Sequence, residues 1–157
     1  MAYWLFKTEP DTFSIDTLRT QNSSCWEGVR NYQARNMLRD EVKLGDLVMI
    51  YHSSCKSVGV AGIAKVTKES YPDHFAFDIE SDYYDAKSTV DNPRWFMVDI
   101  AFVRKTEQVI PLSVLKAMPE LASLPLVKRG NRLSVMPVSE LEWQAILTKE
   151  HLPICQK

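Results

Sequence analysis

Leu44-Gly45-Asp46-Leu47-Val48-Met49-Ile50-Tyr51-His52, residues 44–52, is a turn that launches an unbroken apolar run. A short apolar run without alternation reads as a strand buried on both faces. Downstream, Val58 to Val66 reads as a second strand, with Gly59 and Gly62 predicting a bulge or a close backbone approach. Upstream, Tyr3 to Glu9 is aromatic and apolar and is stopped by Pro10, a third strand. Trp95 to Arg104 is the longest candidate, with Val98, Ile100 and Phe102 on one face and Asp99 on the other. Leu133-Ser134-Val135 is a short strand, and the polar, turn-rich excursion from Lys68 to Pro93 holds one more near His74 to Ile79.

Helix entries interrupt these strands. Phe13-Ser14-Ile15-Asp16, Ile110-Pro111-Leu112-Ser113 and Met136-Pro137-Val138-Ser139 each open a short helix, and Asn31 to Leu38 forms another. In the last of the three, Ser139 and Glu142 make a capping box and Val138 can staple against Trp143. Five or six strands with short helices between them, lacking regular βαβ alternation, give an α+β class. A small, partly open barrel with helices closing its ends fits best. No linker breaks the chain, so residues 1–157 read as one domain.

The 157 residues are 45% hydrophobic and 25% charged, an ordinary globular composition. No apolar run reaches the roughly 18 residues a bilayer span needs, so no membrane partner is expected. The N-terminus lacks a basic start before its apolar residues, and Cys25, Cys55 and Cys155 cannot all pair. Both features predict reduced thiols and a cytoplasmic location, nuclear in a eukaryote. A net charge of −1 argues against holding long DNA mainly by phosphate neutralisation. It leaves open a grip on one base.

Cys25-Trp26-Glu27-Gly28-Val29-Arg30-Asn31-Tyr32 places an indole, a flexible glycine and two directional hydrogen-bonding side chains in one segment. A base needs a stacking face and groups that read its edge. In that reading Trp26 stacks, Asn31 reads the edge and Arg30 holds a phosphate. The same residues also read as a core tryptophan and a helix-capping asparagine. Tyr51-His52-Ser53 ends a buried strand with polar groups; alternatively Tyr51 is core and His52 serves a neighbour. Lys128-Arg129-Gly130-Asn131-Arg132 is the one compact basic cluster, suited to a phosphate through Arg129 and Arg132, or simply a solvated loop. Cys25, His52 and Cys55 fall short of a closed zinc site, and no cofactor motif is present. A thiol hydrolase or transferase using Cys25 and His52 is the enzyme alternative. A small-metabolite or protein-interaction module is a third possibility.

Tyr3-Trp4-Leu5-Phe6-Lys7-Thr8-Glu9-Pro10 and Cys25 to Asn36 resemble the opening motifs of the EVE-domain family. Tyr51-His52-Ser53, Gly59 to Ala64, Asn92 to Trp95 and Arg132 to Val135 continue the match in order, over roughly residues 2 to 147. The resemblance implies a PUA-like pseudo-barrel and a non-catalytic pocket for a modified base in DNA or RNA. Carried onto this sequence, the implied pocket draws on Trp26, Gly28, Val29, Arg30 and Asn31, with Tyr51, His52 and Ser53 at the neighbouring strand end. Trp95, Leu133 and Ser134 complete it.

Overall fold

The structure, a computed structural model, describes residues 1–150; Cys155 lies outside the described residues. The strands are β1 (Tyr3–Thr8), β2 (Ser23–Cys25), β3 (Leu47–His52), β4 (Gly59–Pro72), β5 (Phe96–Pro111) and β6 (Val135–Val138). The helices are α1 (Ile15–Gln21), α2 (Tyr32–Asp40), α3 (Leu112–Lys116) and α4 (Glu140–Thr148). Together the strands form one mixed sheet in the order β2-β5-β4-β3-β1-β6. Among the described residues only the β1–β3 pair is parallel; β2 and β6 are the edges of the sheet, so the barrel is open.

Side-chain alternation explains why β1 is apolar from Tyr3 to Phe6 and β3 from Leu47 to Tyr51. Trp4, Phe6, Val48 and Ile50 face one core with α1 and α2, while Leu5, Met49 and Tyr51 face a second with α3 and α4. A strand buried on both faces has no polar side, as its sequence requires. Asp46, 3% exposed, fixes the start of β3. Its carboxylate accepts from Trp4 Nε1 and from the Lys43 amide, both at 2.9 Å. The last helix forms as its sequence predicts: Ser139 Oγ accepts from the Glu142 amide at 3.1 Å, and Glu142 Oε1 accepts from the Ser139 amide at 2.9 Å. Val138 and Trp143 are both buried in the second core.

Four elements differ from the sequence reading. Residues His74–Phe77 are a 3-10 turn instead of a strand, because Asp73 Oδ1 accepts the Phe75 amide at 3.0 Å and closes the chain on itself. The three-residue strand β2 has too little pattern to be read from sequence. Strands β4 and β5 run 14 and 16 residues, well past their apolar stretches. Their polar ends pair with each other, and register shifts between Val60 and Gly62, and further along, bend the long hairpin.

Candidate base-binding site

β1 ends at Thr8, and the chain then turns through Glu9, whose carbonyl accepts the amides of Thr12 and Phe13, both at 2.9 Å. Opposite, the segment after β2 is anchored where the Trp26 amide donates to the Val98 carbonyl at 2.8 Å. Between the two segments lies a cavity of about 220 Å3. Its lining includes Lys7, Phe13, Trp26, Glu27, Val29 and Tyr83, with Ser134 at the approach to β6. Such a space is below the 300–1,000 Å3 of drug-sized ligand pockets and suits one ring system.

The walls are held from behind. Trp26 is 6% exposed, with its ring 5.4 Å from Phe6 and edge-on to Phe13 at 5.8 Å. The indole is therefore both core and cavity wall. Tyr83 supplies the facing ring from the polar excursion. It lies directly on Gly28, where an added Cβ would sit 2.6 Å from the ring, and Gly28 has φ +85°. Glycine is required at this point by conformation and by contact.

Buried Asp73 joins that excursion to the site. Oδ2 accepts the Gly28 amide at 2.9 Å and Arg30 Nη1 at 3.0 Å. Arg30 also donates to the Tyr83 carbonyl at 2.7 Å and the Val29 carbonyl at 3.1 Å. Its guanidinium lies 5.4 Å from the Tyr83 ring and 5.3 Å from the Trp95 ring. These internal partners take three of its five N–H donors, so Arg30 pins the cavity wall.

Electrostatics inside the cavity favour a neutral or amine-bearing guest. Two acidic residues, Glu9 and Glu27, and one basic residue, Lys7, are among its lining. Burial holds the Lys7 ammonium below the usual lysine range. Glu27 Oε2 accepts the Cys25 thiol at 3.4 Å. Burial and the Glu27 carboxylate together push that thiol up to about 12. A thiol so held is a poor nucleophile.

Of the residues assigned to a pocket from sequence, Trp26, Gly28, Val29 and Ser134 meet at this cavity. Asn31 is exposed and caps α2, its Oδ1 accepting the Ala34 amide at 3.0 Å, and it lies outside the lining. Tyr51 faces the second core. His52 Nε2 accepts the Ile15 amide at 3.1 Å, serving an otherwise unpaired donor at the start of α1. Burial holds the His52 imidazole below its usual value. Cys25 and His52 are thus taken up by different partners. Ser53 donates its amide to the Thr8 carbonyl at 2.9 Å, steadying the end of β1. Trp95 is buried beside Arg30, its Nε1 donating to Asp85 at 2.7 Å. Leu133 packs on the second core. Arg129 and Arg132 are exposed, without ion-pair partners among the described residues, on the loop that leads to Ser134. Sequence reasoning missed Lys7, Glu9, Phe13, Glu27 and Tyr83. Their one available signal was position, since Lys7 and Glu9 end a strand and Glu27 follows the indole.

The open mixed sheet, with this cavity at the end of β1, defines a small PUA-like domain. The chain belongs to the EVE domain family, whose model matches residues 2–149. It is 42% identical to human thymocyte nuclear protein 1, over 95% of this chain and 74% of that protein. A crystal structure from Pseudomonas syringae superposes with a TM-score of 0.93 at 50% identity, covering 95% of this chain and 99% of that one. Human THYN1, solved in complex with 5-methylcytosine-containing DNA, superposes with a TM-score of 0.89 at 40% identity. That alignment covers 98% of this chain and 100% of the human one.

Proposed function

We propose that this domain is a non-catalytic reader that takes one modified pyrimidine, 5-methylcytosine in DNA or its RNA counterpart, into the cavity beside Trp26. The observation that carries the reading is the cavity's chemistry: aromatic walls from Phe13, Trp26 and Tyr83, with Glu27 and Lys7 at the edge. Similarity to human THYN1, solved with 5-methylcytosine-containing DNA, supports the same ligand class.

Each wall has a stated task. An extruded base gives up its stack, at a cost of a few kcal/mol, and recovers part of it against the rings. Glu27 accepts from the exocyclic amine of cytosine, the pairing expected between a carboxylate and that edge. Lys7 donates to the ring's acceptor atoms. A thymine would turn a carbonyl toward Glu27 and leave the carboxylate desolvated without a donor. The 5-methyl group gains about 0.8 kcal/mol against apolar wall, a few-fold preference. Arg129 and Arg132, exposed on the loop entering the rim, meet flanking phosphates.

Fluorescence anisotropy with single strands carrying one 5-methylcytosine, cytosine or thymine tests the reading. The expected order is methylcytosine above cytosine by a few-fold, and cytosine above thymine by roughly tenfold or more. Glu27→Gln should erase most of the cytosine–thymine gap. Equal binding of all three bases by the wild type, or none, refutes it.

A further inference from the structure

A second cluster of aromatic and cationic side chains lies on the surface beside α2. Tyr32, the first residue of that helix, is 51% exposed. Its ring stacks on buried Trp95, with centroids 4.8 Å apart and planes 23° from parallel. The Arg35 guanidinium sits 4.8 Å from the Tyr32 ring. Arg94 Nη1 reaches the Tyr32 hydroxyl at 3.5 Å, and the Arg94 carbonyl accepts Arg35 Nη1 at 2.7 Å. An aromatic ring held flat from beneath, half open to solvent and flanked by two cations, is the composition of a stacking platform for single-stranded nucleic acid.

Its position links it to the cavity. Tyr83, the cavity wall, lies 5.4 Å from the Arg30 guanidinium; Arg30 lies 5.3 Å from Trp95; and Trp95 carries Tyr32. Tyr83, Arg30, Trp95 and Tyr32 form one packed ladder from the cavity to the surface. Among the exposed large apolar side chains of the described residues, only Tyr32 and Tyr84 are aromatic.

We infer that Tyr32, with Arg94 and Arg35, is a subsite for a flanking nucleotide of the strand whose base enters the cavity. Its base stacks on Tyr32 and its phosphate meets Arg94. The inference rests on the base-reader proposal and adds the path of the strand, running out past α2.

Two probes separate the two ideas: free 5-methyl-2′-deoxycytidine, and a single strand of about ten nucleotides with one central 5-methylcytosine. Tyr32→Leu keeps an apolar cover on Trp95 while removing the ring, and Tyr32→Phe restores the ring. Tyr32→Leu should weaken the strand roughly tenfold and leave the nucleoside unchanged, with Tyr32→Phe matching wild type. Arg94→Ala should lower the salt slope of strand binding by about one. Wild type that binds neither probe removes the base reader and this subsite together. Wild type that binds both, with Tyr32→Leu indistinguishable from it and Arg94→Ala leaving the salt slope intact, overturns the subsite alone.

Discussion

Replacing Gly28 by alanine tests whether Tyr83 is a fixed wall of the cavity. Gly28 and Gly45 have nearly the same backbone, with φ +85° and φ +88°, yet their surroundings differ. A Cβ on Gly45 meets nothing within 4 Å, whereas one on Gly28 sits 2.6 Å from Tyr83 Cε1 and Cζ. Gly45→Ala therefore carries only the left-handed backbone cost, about 1–2 kcal/mol. Gly28→Ala carries the same cost plus an overlap of about 1 Å relative to ordinary carbon contact. Relieving it means pushing the ring aside, which adds about 1–3 kcal/mol. The total should reach about 2–5 kcal/mol.

Urea denaturation of wild type, both single variants, Tyr83→Ala and the Gly28→Ala/Tyr83→Ala double variant resolves the two parts. With Tyr83 gone, the Gly28→Ala cost should fall to that of Gly45→Ala, leaving a coupling of about 1–3 kcal/mol. If Gly28→Ala costs the same with or without the ring, and no more than Gly45→Ala, Tyr83 does not hold its place on Gly28. The wall described here would then be a movable flap.

Three further outcomes follow from the same geometry. Asp73→Asn leaves the Arg30 guanidinium without its carboxylate, so stability should drop by about 3 kcal/mol and limited proteolysis should accelerate between residues 73 and 95. Because burial lowers the His52 pKa in the folded state, the unfolded chain binds the proton more readily; stability should hold above about pH 7 and decline as pH falls below 6.5. His52→Gln, which keeps an acceptor for the Ile15 amide, should flatten that slope in urea midpoints taken at about pH 7.5 and 5. With the Cys25 thiol raised from 9.0 to about 12, its thiolate fraction near neutrality is roughly a thousandfold smaller. In a Cys55→Ser/Cys155→Ser background, iodoacetamide should react with Cys25 far more slowly than with free cysteine, and fast reaction would revive the thiol-enzyme reading.

Local physics was legible where one segment decides its own structure. The apolar runs at Tyr3 and Leu47 read as strands and are strands, and the capping pair Ser139 and Glu142 opens the last helix as read. The excursion between Lys68 and Pro93 was opaque because its structure is set by distant partners. Asp73 turns toward Gly28 and Arg30, and Asp85 toward Trp95. For the same reason Arg30 and Asn31 resembled ligand contacts. Their polarity is visible in sequence, but the carboxylate 43 residues away that occupies Arg30, and the amide that occupies Asn31, are not. The cavity itself joins the end of β1, the segment after β2, Tyr83 and Ser134. No single stretch contains that convergence.

The burial of Trp26 bears on how selective such a reader can be. An indole fixed between Phe6 and Phe13 loses no freedom when a base arrives, so stacking there carries little ordering cost. Rigid apolar walls alone discriminate poorly, because a methyl group adds only about 0.8 kcal/mol. In the proposed reader the sharper selection falls to Glu27, whose carboxylate would lose water when the cavity fills. An arriving amine replaces that water; an arriving carbonyl does not, and the unpaired charge then opposes binding. On the base-reader proposal the domain therefore chooses cytosine over thymine more strongly than it chooses methylated over unmethylated cytosine. A Glu27→Gln variant, able to donate as well as accept, should keep the methyl preference while losing the choice of base.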